Sequence, residues 1–354
     1  MGRTHDRSTA GRRPSSSPDK LVRPAYAVRK DGTYVTNRWV DTVIQWLPSG
    51  IDRRVRVFAW LSLVAQTLLI GTGGAVRLTG SGLGCPTWPR CTTDSFVNTQ
   101  EMGIHGIIEF GNRMLTFVLV IVAVGMFLSI LRFRAQRRDL FVLALLQGLS
   151  IPLQAVIGGI TVLTGLNPYI VGTHFVISIV LVALTTVLVY RVYRGPRGFA
   201  KFAPAWFTAV THFSTLLVAI TVLLGILTTG SGPHAGDATT PRNGMNSEVL
   251  QHLHSWPAYA LVGTTLFLVI AAFTGGDRFV PVRRWLLALL AVEAVQVAVG
   301  ITQARLGLPE LLVGIHMVLA ALLVSAMTAT VLSLRTSTST TPSAPIAEPE
   351  SVRA

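Results

Sequence analysis

Eight long apolar stretches divide the chain, near residues 55–77, 104–131, 140–162, 168–190, 205–229, 248–272, 284–304 and 310–334. Each holds the roughly 20 apolar residues that a helix needs to cross about 30 Å of hydrocarbon. Short polar segments separate them. The pattern predicts an all-α integral membrane protein of eight transmembrane helices, flanked by two segments without apolar periodicity. Residues 1–54 are rich in Arg, Ser and Pro and read as a disordered basic tail. They lack the apolar core of a signal peptide, although a mitochondrial transit peptide has a similar composition. Residues 335–354 are low-complexity and read as a second disordered tail.

Composition agrees with a bilayer environment. Half of the 354 residues are hydrophobic and 13% are charged. The net charge of +14 first suggests a nucleic-acid partner. The basic residues, however, sit between the apolar runs rather than in a patch, so no nucleic-acid partner is expected. Of the 30 Lys and Arg, 25 fall in segments 1–56, 132–138, 191–201, 278–284 and the C-terminus, all on one side of an eight-span chain. Arg77, Arg90, Arg242 and Arg305 fall on the other side, and Arg113 lies inside a span. The positive-inside rule then places both termini in the cytoplasm.

The two halves of the chain repeat. Shifted by 142 residues, QAVIGGITVLTGLNPYIVGTHFV (154–176) lies on QVAVGITQARLGLPELLVGIHMV (296–318) with eight identities, among them Gln, Gly and His. The same shift lays IIEFGNR (107–113) on VLQHLHS (249–255), so that Glu109 meets Gln251 and Asn112 meets His254. LTGSG (78–82) matches TTGSG (228–232) at a slightly different offset. Each half has four spans, so the expectation is two tandem parallel four-helix-bundle repeats, 55–191 and 205–334.

The repeat gives the intramembrane histidines a meaning. His174, His254 and His316 each lie about six residues, roughly 9 Å, past the outer end of a span. Within each half the paired positions are 62 residues apart, 112 to 174 and 254 to 316. Two imidazoles at one depth on neighbouring helices can hold a haem iron from both faces. A lone intramembrane histidine is often only a helix-to-helix hydrogen bond; two at matching depth within one repeat favour haem. His252 faces about 200° away from His254, His212 lies near the opposite membrane face, and His234 and His5 lie in a loop and a tail. Cys85 and Cys91, the only cysteines, occupy the outer segment GSGLGCPTWPRC, where a disulfide is the natural state. Its role is either structural or redox, and Trp88 with the two prolines is placed to form a lid.

Together, TGSGLGCPTWPRC (79–91), IIEFGNR (107–113), TGLNPYIVGTHF (164–175), the His254 region and LVGIHMVLA (312–320) resemble the haem A synthase family, over residues 55–334. That family oxidises the ring-D methyl of haem O to the formyl group of haem A, used by cytochrome c oxidase. The resemblance implies haem b as cofactor with His254 and His316 as axial ligands, and His174 facing the substrate haem. It further implies Glu109 as the catalytic carboxylate and a Cys85–Cys91 disulfide. The family's motif usually reads Glu-x-x-His-Arg; here Asn112 takes the place of the histidine while Glu109 and Arg113 are kept. An asparagine there resembles the actinobacterial branch, and with it a bacterial plasma membrane. His105, one helical heptad before Asn112, is a further candidate for the missing ligand. The expected partners are haem O, a haem O synthase, a quinol or ferredoxin electron donor and the lipid bilayer; a homo-oligomer remains open. A di-haem cytochrome b or a transporter with parallel repeats are the competing classes, and four histidines would have suited the cytochrome better than three and Asn112.

Overall fold

A computed structural model describes residues 47–195, 200–201 and 203–336. Most of the two expected tails, 1–46 and 337–354, lies outside the described residues. Eight helices follow in order: α1 (Arg53–Leu78), α2 (Gly103–Leu131), α3 (Arg138–Leu163), α4 (Pro168–Arg194), α5 (Ala205–Ser231), α6 (Ser247–Thr274), α7 (Val280–Arg305) and α8 (Glu310–Ser333). All eight are long and apolar enough to cross a membrane. Each begins and ends within a few residues of the apolar run that predicts it. A two-residue antiparallel pairing, β1 (Ala200–Lys201) with β2 (Arg335–Thr336), joins the connection before α5 to the residues after α8.

Local chemistry fixes the starts. The Asp52 side chain accepts the Val55 N–H at the first turn of α1, and Asn167 accepts that of Tyr169 ahead of Pro168. Asn246 takes two amides, those of Glu248 and Val249, at the start of α6. Each cap satisfies donors that the helix cannot.

The helices pack in two rings. Consecutive helices α1 to α4 touch, and α1 closes on α4; α5 to α8 do the same, with α5 closing on α8. The rings meet where α8 lies against α1 and α4, and α4 against α5. A central apolar cluster, including Ile70, Val182, Leu261, Leu289, Ala321 and Met327, draws on both rings. The outward faces remain apolar: Leu68, Phe117, Ile121 and Leu149 are each at least 60% exposed. A surface like that is satisfied by lipid and not by water, and every backbone group within it is closed into a helix. The protein is a multi-pass membrane protein.

Two connections have the same backbone. After α3, Gly165 and Leu166 both take a left-handed conformation (φ 59° each), and after α7 so do Gly307 and Leu308 (φ 74° and 64°). In the first, the Leu166 N–H bonds back to the Thr161 carbonyl at 2.8 Å; in the second, Leu308 bonds to that of Gln303 at the same distance. A left-handed leucine is uncommon, and here it is held by that bond.

The α1–α2 and α5–α6 loops, 79–102 and 232–246, at the end of the bundle that carries the cysteines, are tied to one another. Gly82 N–H donates to the Gly236 carbonyl at 2.8 Å. Arg77 donates to the carbonyls of His234 (2.7 Å) and Thr229 (2.9 Å).

Candidate functional site

The α6 and α8 helices stand at diagonal corners of their ring, with α5 and α7 between them. The expectation of neighbouring helices is therefore replaced by a diagonal arrangement, which chain order alone does not reveal. It is the better geometry for two side chains meeting across a bundle interior. His254, the eighth residue of α6, and His316, the seventh of α8, project there with ring centres 6.2 Å apart and planes at 72°.

The second ring makes room for both imidazoles. A Cβ on Gly225 of α5 would come within 2.9 Å of His254 Cε1, and one on Gly300 of α7 within 3.1 Å of His316 Cε1. His254 Nδ1 lies 2.9 Å from the Thr221 carbonyl and donates its N–H to it, which leaves Nε2 as the lone-pair nitrogen. His316 Nδ1 is buried without a partner, and the backbone carbonyl of His316 accepts from Gln296 Nε2 at 3.1 Å.

In the first ring α2 and α4 are the diagonal pair. They carry Asn112 and His174, whose Oδ1 and Nδ1 atoms are buried without a protein partner. Gly158 of α3 lies against His174 as Gly300 does against His316, but with more space: its Cβ would sit 3.5 Å from Cε1. Gln154 Nε2 donates to the His174 carbonyl at 3.3 Å, repeating the Gln296 contact.

Above this ring sits the cysteine loop. Cys85 and Cys91 form the disulfide. Glu109, 5% exposed on α2, accepts the Cys85 N–H at Oε2 and Arg113 Nη2 at Oε1, both at 2.6 Å. Arg113 also donates to the carbonyls of Cys85 and Thr87, each at 3.1 Å, and of Arg90 at 3.2 Å. The i, i+4 ion pair that the spacing allows is present, and it doubles as a clamp on the loop. Trp88 packs onto Gly159 of α3, where any Cβ would strike its ring. His105 is exposed at the start of α2 and its Nδ1 pairs with Ser81 Oγ at 2.9 Å, so it belongs to the loop scaffold and is not gathered with His174. His252 and His212 are exposed on their helices, and His234 Nε2 meets the Leu308 carbonyl at 2.8 Å. Among the described residues, no group of three or more His, Cys, Asp or Glu gathers as a metal site.

Glycines 225 and 300, the Thr221 carbonyl and the loop-binding role of Arg113 are additions that residue-by-residue reading misses. Gly158 and Gly300 are identities of the internal repeat, and that was the available signal.

The sequence profile of a family described as cytochrome oxidase assembly protein matches residues 56–328, all eight helices but their extreme ends. The chain belongs to that family. Its similarity to individual members is partial. A haem A synthase of Listeria welshimeri is 30% identical over 146 residues, 41% of this chain and 48% of its own length. One of Lysinibacillus sphaericus is 31% identical over 175 residues, 47% and 56% of the two chains. One of Bacillus pumilus is 33% identical over 144 residues, 40% and 45%. The chain thus spans about half the length of the curated relatives it matches.

Proposed function

We propose that this member of the cytochrome oxidase assembly family is a haem A synthase, oxidising the ring-D methyl of haem O to a formyl group. The observation that carries the reading is the His254–His316 pair. An imidazole nitrogen bonds a metal at about 2.0–2.1 Å, so two imidazoles that would hold one iron between them need ring centres about 6 Å apart. The observed 6.2 Å fits. The Thr221 carbonyl supplies the outer-sphere hydrogen bond that such a ligand ordinarily has. His254 and His316 would hold haem b, whose iron supplies one-electron transfer when bound.

Glu109, Asn112, Arg113 and His174 form the reacting half. His174 approaches the substrate haem from α4, and Asn112 leaves the facing position without an imidazole. Glu109 is the residue on which turnover depends. The Cys85 amide and Arg113 fix its carboxylate above the Asn112 position, where it can stabilise positive charge developing at the methyl carbon or take up a proton. The disulfide loop and Trp88 cover this end and limit access by water. Haem O, delivered from its synthase, and an electron donor of the quinol or ferredoxin class are the partners. The two rings, 55–191 and 205–334, are read as a tandem parallel duplication, supported by the shared left-handed turns and the Gln154 and Gln296 contacts. The protein lies in a bacterial plasma membrane with both termini cytoplasmic.

The test is expression together with a haem O synthase, followed by extraction and chromatography of the haems. Haem A in the extract, together with haem b in the purified protein, is expected. Two equivalents of haem b and no haem A would favour a di-haem cytochrome, and no pigment a transporter.

A further inference from the structure

One carboxyl in the second ring takes no part in the chemistry above. Glu293 lies in the middle of α7 and is 2% exposed. Thr265 of α6 donates its hydroxyl to Oε1 at 2.8 Å, while Oε2 is buried without a protein partner. Among the described residues no Lys, Arg or His pairs with it. Such a group can bind or release a proton without breaking an ion pair, and an ionisable side chain kept inside a membrane protein needs a reason.

Its surroundings point toward the paired imidazoles. Residues 293, 296, 300 and 303 follow one another at steps of three and four and therefore share one face of α7. Gln296 touches the His316 carbonyl, and Gly300 lies under the His316 ring. The side-chain oxygens of Gln296 and Gln303 are buried without partners, as is Glu293 Oε2. Seven residues, about 10.5 Å of helix, separate Glu293 from Gly300. The corresponding face of the first ring holds Ile151, Gln154, Gly158 and Thr161, and Thr161 closes its hydroxyl on the Gly158 carbonyl. The acid, and the unpartnered glutamine three residues past Gly300, belong to the second ring alone.

We propose that Glu293 is the proton partner of the haem held by His254 and His316. This rests on the ligation proposed above. When a one-electron donor reduces the haem that these histidines would hold, the Glu293 carboxylate would take up one solvent hydronium proton, forming its O–H bond, so the charge of the buried site would be unchanged. Reoxidation reverses both transfers. A charge uncompensated at that depth is costly, and Glu293 is a buried carboxyl on the helix face that carries Gly300, able to cancel it without an ion pair to lose. The other ionisable groups on elements packed against α7 are Glu248, His252, His254 and Tyr259 of α6, Glu310 and His316 of α8, Asp277 and Arg278 of the turn that precedes α7, and Tyr190 of α4, whose ring meets Trp285. Arg283, Arg284 and Arg305 stand near the ends of α7 itself. None of these bonds to Glu293.

The experiment is a spectroelectrochemical titration of the purified, haem-loaded protein, with dithionite and ferricyanide as reductant and oxidant, repeated across pH. The one-electron midpoint should fall as pH rises, by up to about 59 mV per unit, the equivalent of a tenfold change in proton concentration. Glu293→Gln should flatten that slope and leave the low-spin spectrum in place. The reduced-minus-oxidised infrared spectrum should lose a protonated-carboxyl band in the same variant. Should Glu293→Gln fail to fold, Thr265→Val serves instead: removing the hydroxyl donor should move the pH at which the slope bends. A low-spin haem with the same pH dependence in the unaltered protein and the variants overturns the Glu293 proposal alone. Absence of the low-spin haem from the unaltered protein overturns the ligation and this proposal with it.

Discussion

The two rings hold the same furniture with different occupants. Each places a side chain from its second helix and a histidine from its fourth across the bundle diagonal. Each sets a glycine of its third helix against that histidine, and a glutamine one turn earlier on the histidine's backbone carbonyl. In the second ring the diagonal is two imidazoles with a fitted partner for His254. In the first it is Asn112 and His174, both with unsatisfied polar atoms, under a loop clamped by a charged pair. On the proposed function, one interior would grip a haem and the other would leave a position open beneath a cover. Retention and turnover make opposite demands on a site, and the proposed duplication would let one scaffold meet both.

The sharpest way to break this contrast is to remove the grip. His254→Ala or His316→Ala should abolish the low-spin haem b absorption of the purified protein, whereas His174→Ala should preserve it. Equal spectra in all three variants would erase the distinction between the rings.

Glu109→Gln should come next in size. Glutamine keeps an oxygen for the Cys85 amide but loses the charge facing Arg113. Haem A output should fall by about 10²–10⁴-fold, the range for loss of a catalytic proton-transfer group, with haem b retained. Full output would reduce Glu109 to a loop anchor.

The glycines sharpen the comparison further. Gly225→Ala forces a methyl against His254 and should cost about 1–3 kcal/mol, as overpacking does, read as haem b loss at lower temperature. Gly158→Ala meets His174 at ordinary contact distance and should be neutral, or stabilising by about 0.5–1 kcal/mol through helix propensity. Equal effects at both positions would mean that the rings are packed alike.

The smallest readout is covalent. Alkylation of the native protein without reductant should leave both Cys85 and Cys91 unmodified in mass spectrometry. Labelling of both would place their loop in a reducing compartment and reverse the orientation.

Much of this was legible in the sequence because the bilayer imposes a simple code. Apolar runs gave the eight helices nearly to the residue, and the 142-residue shift picked out His174, His254, His316 and the Asn112 exception. Which helices adjoin was not legible, since depth is written in the spacing but lateral position is not; hence the diagonal pairing of α6 with α8. The i, i+4 spacing of Glu109 and Arg113 announces their ion pair, but the grip of Arg113 on three loop carbonyls depends on a loop conformation that no periodicity encodes. Glu293 stands as an acid within the apolar segment LLALLAVEAVQVAVG, and nothing in that segment announces its Thr265 partner on another helix.

The paired left-handed turns have one more consequence. Leu166 stands eight residues after Gly158 and eight before His174, and Leu308 stands likewise between Gly300 and His316. Hairpin arms of equal length return the chain to the height at which it left, so each glycine faces its histidine by counting alone. The turn is a ruler's zero mark. Inserting one residue between Leu308 and His316 would rotate the imidazole by about 100° and shift it about 1.5 Å, off its glycine and out of the diagonal, while composition and hydropathy stay the same. Insertions in these two arms should therefore be as damaging as loss of the histidines themselves, whereas loops 79–102 and 232–246 already differ in length between the rings.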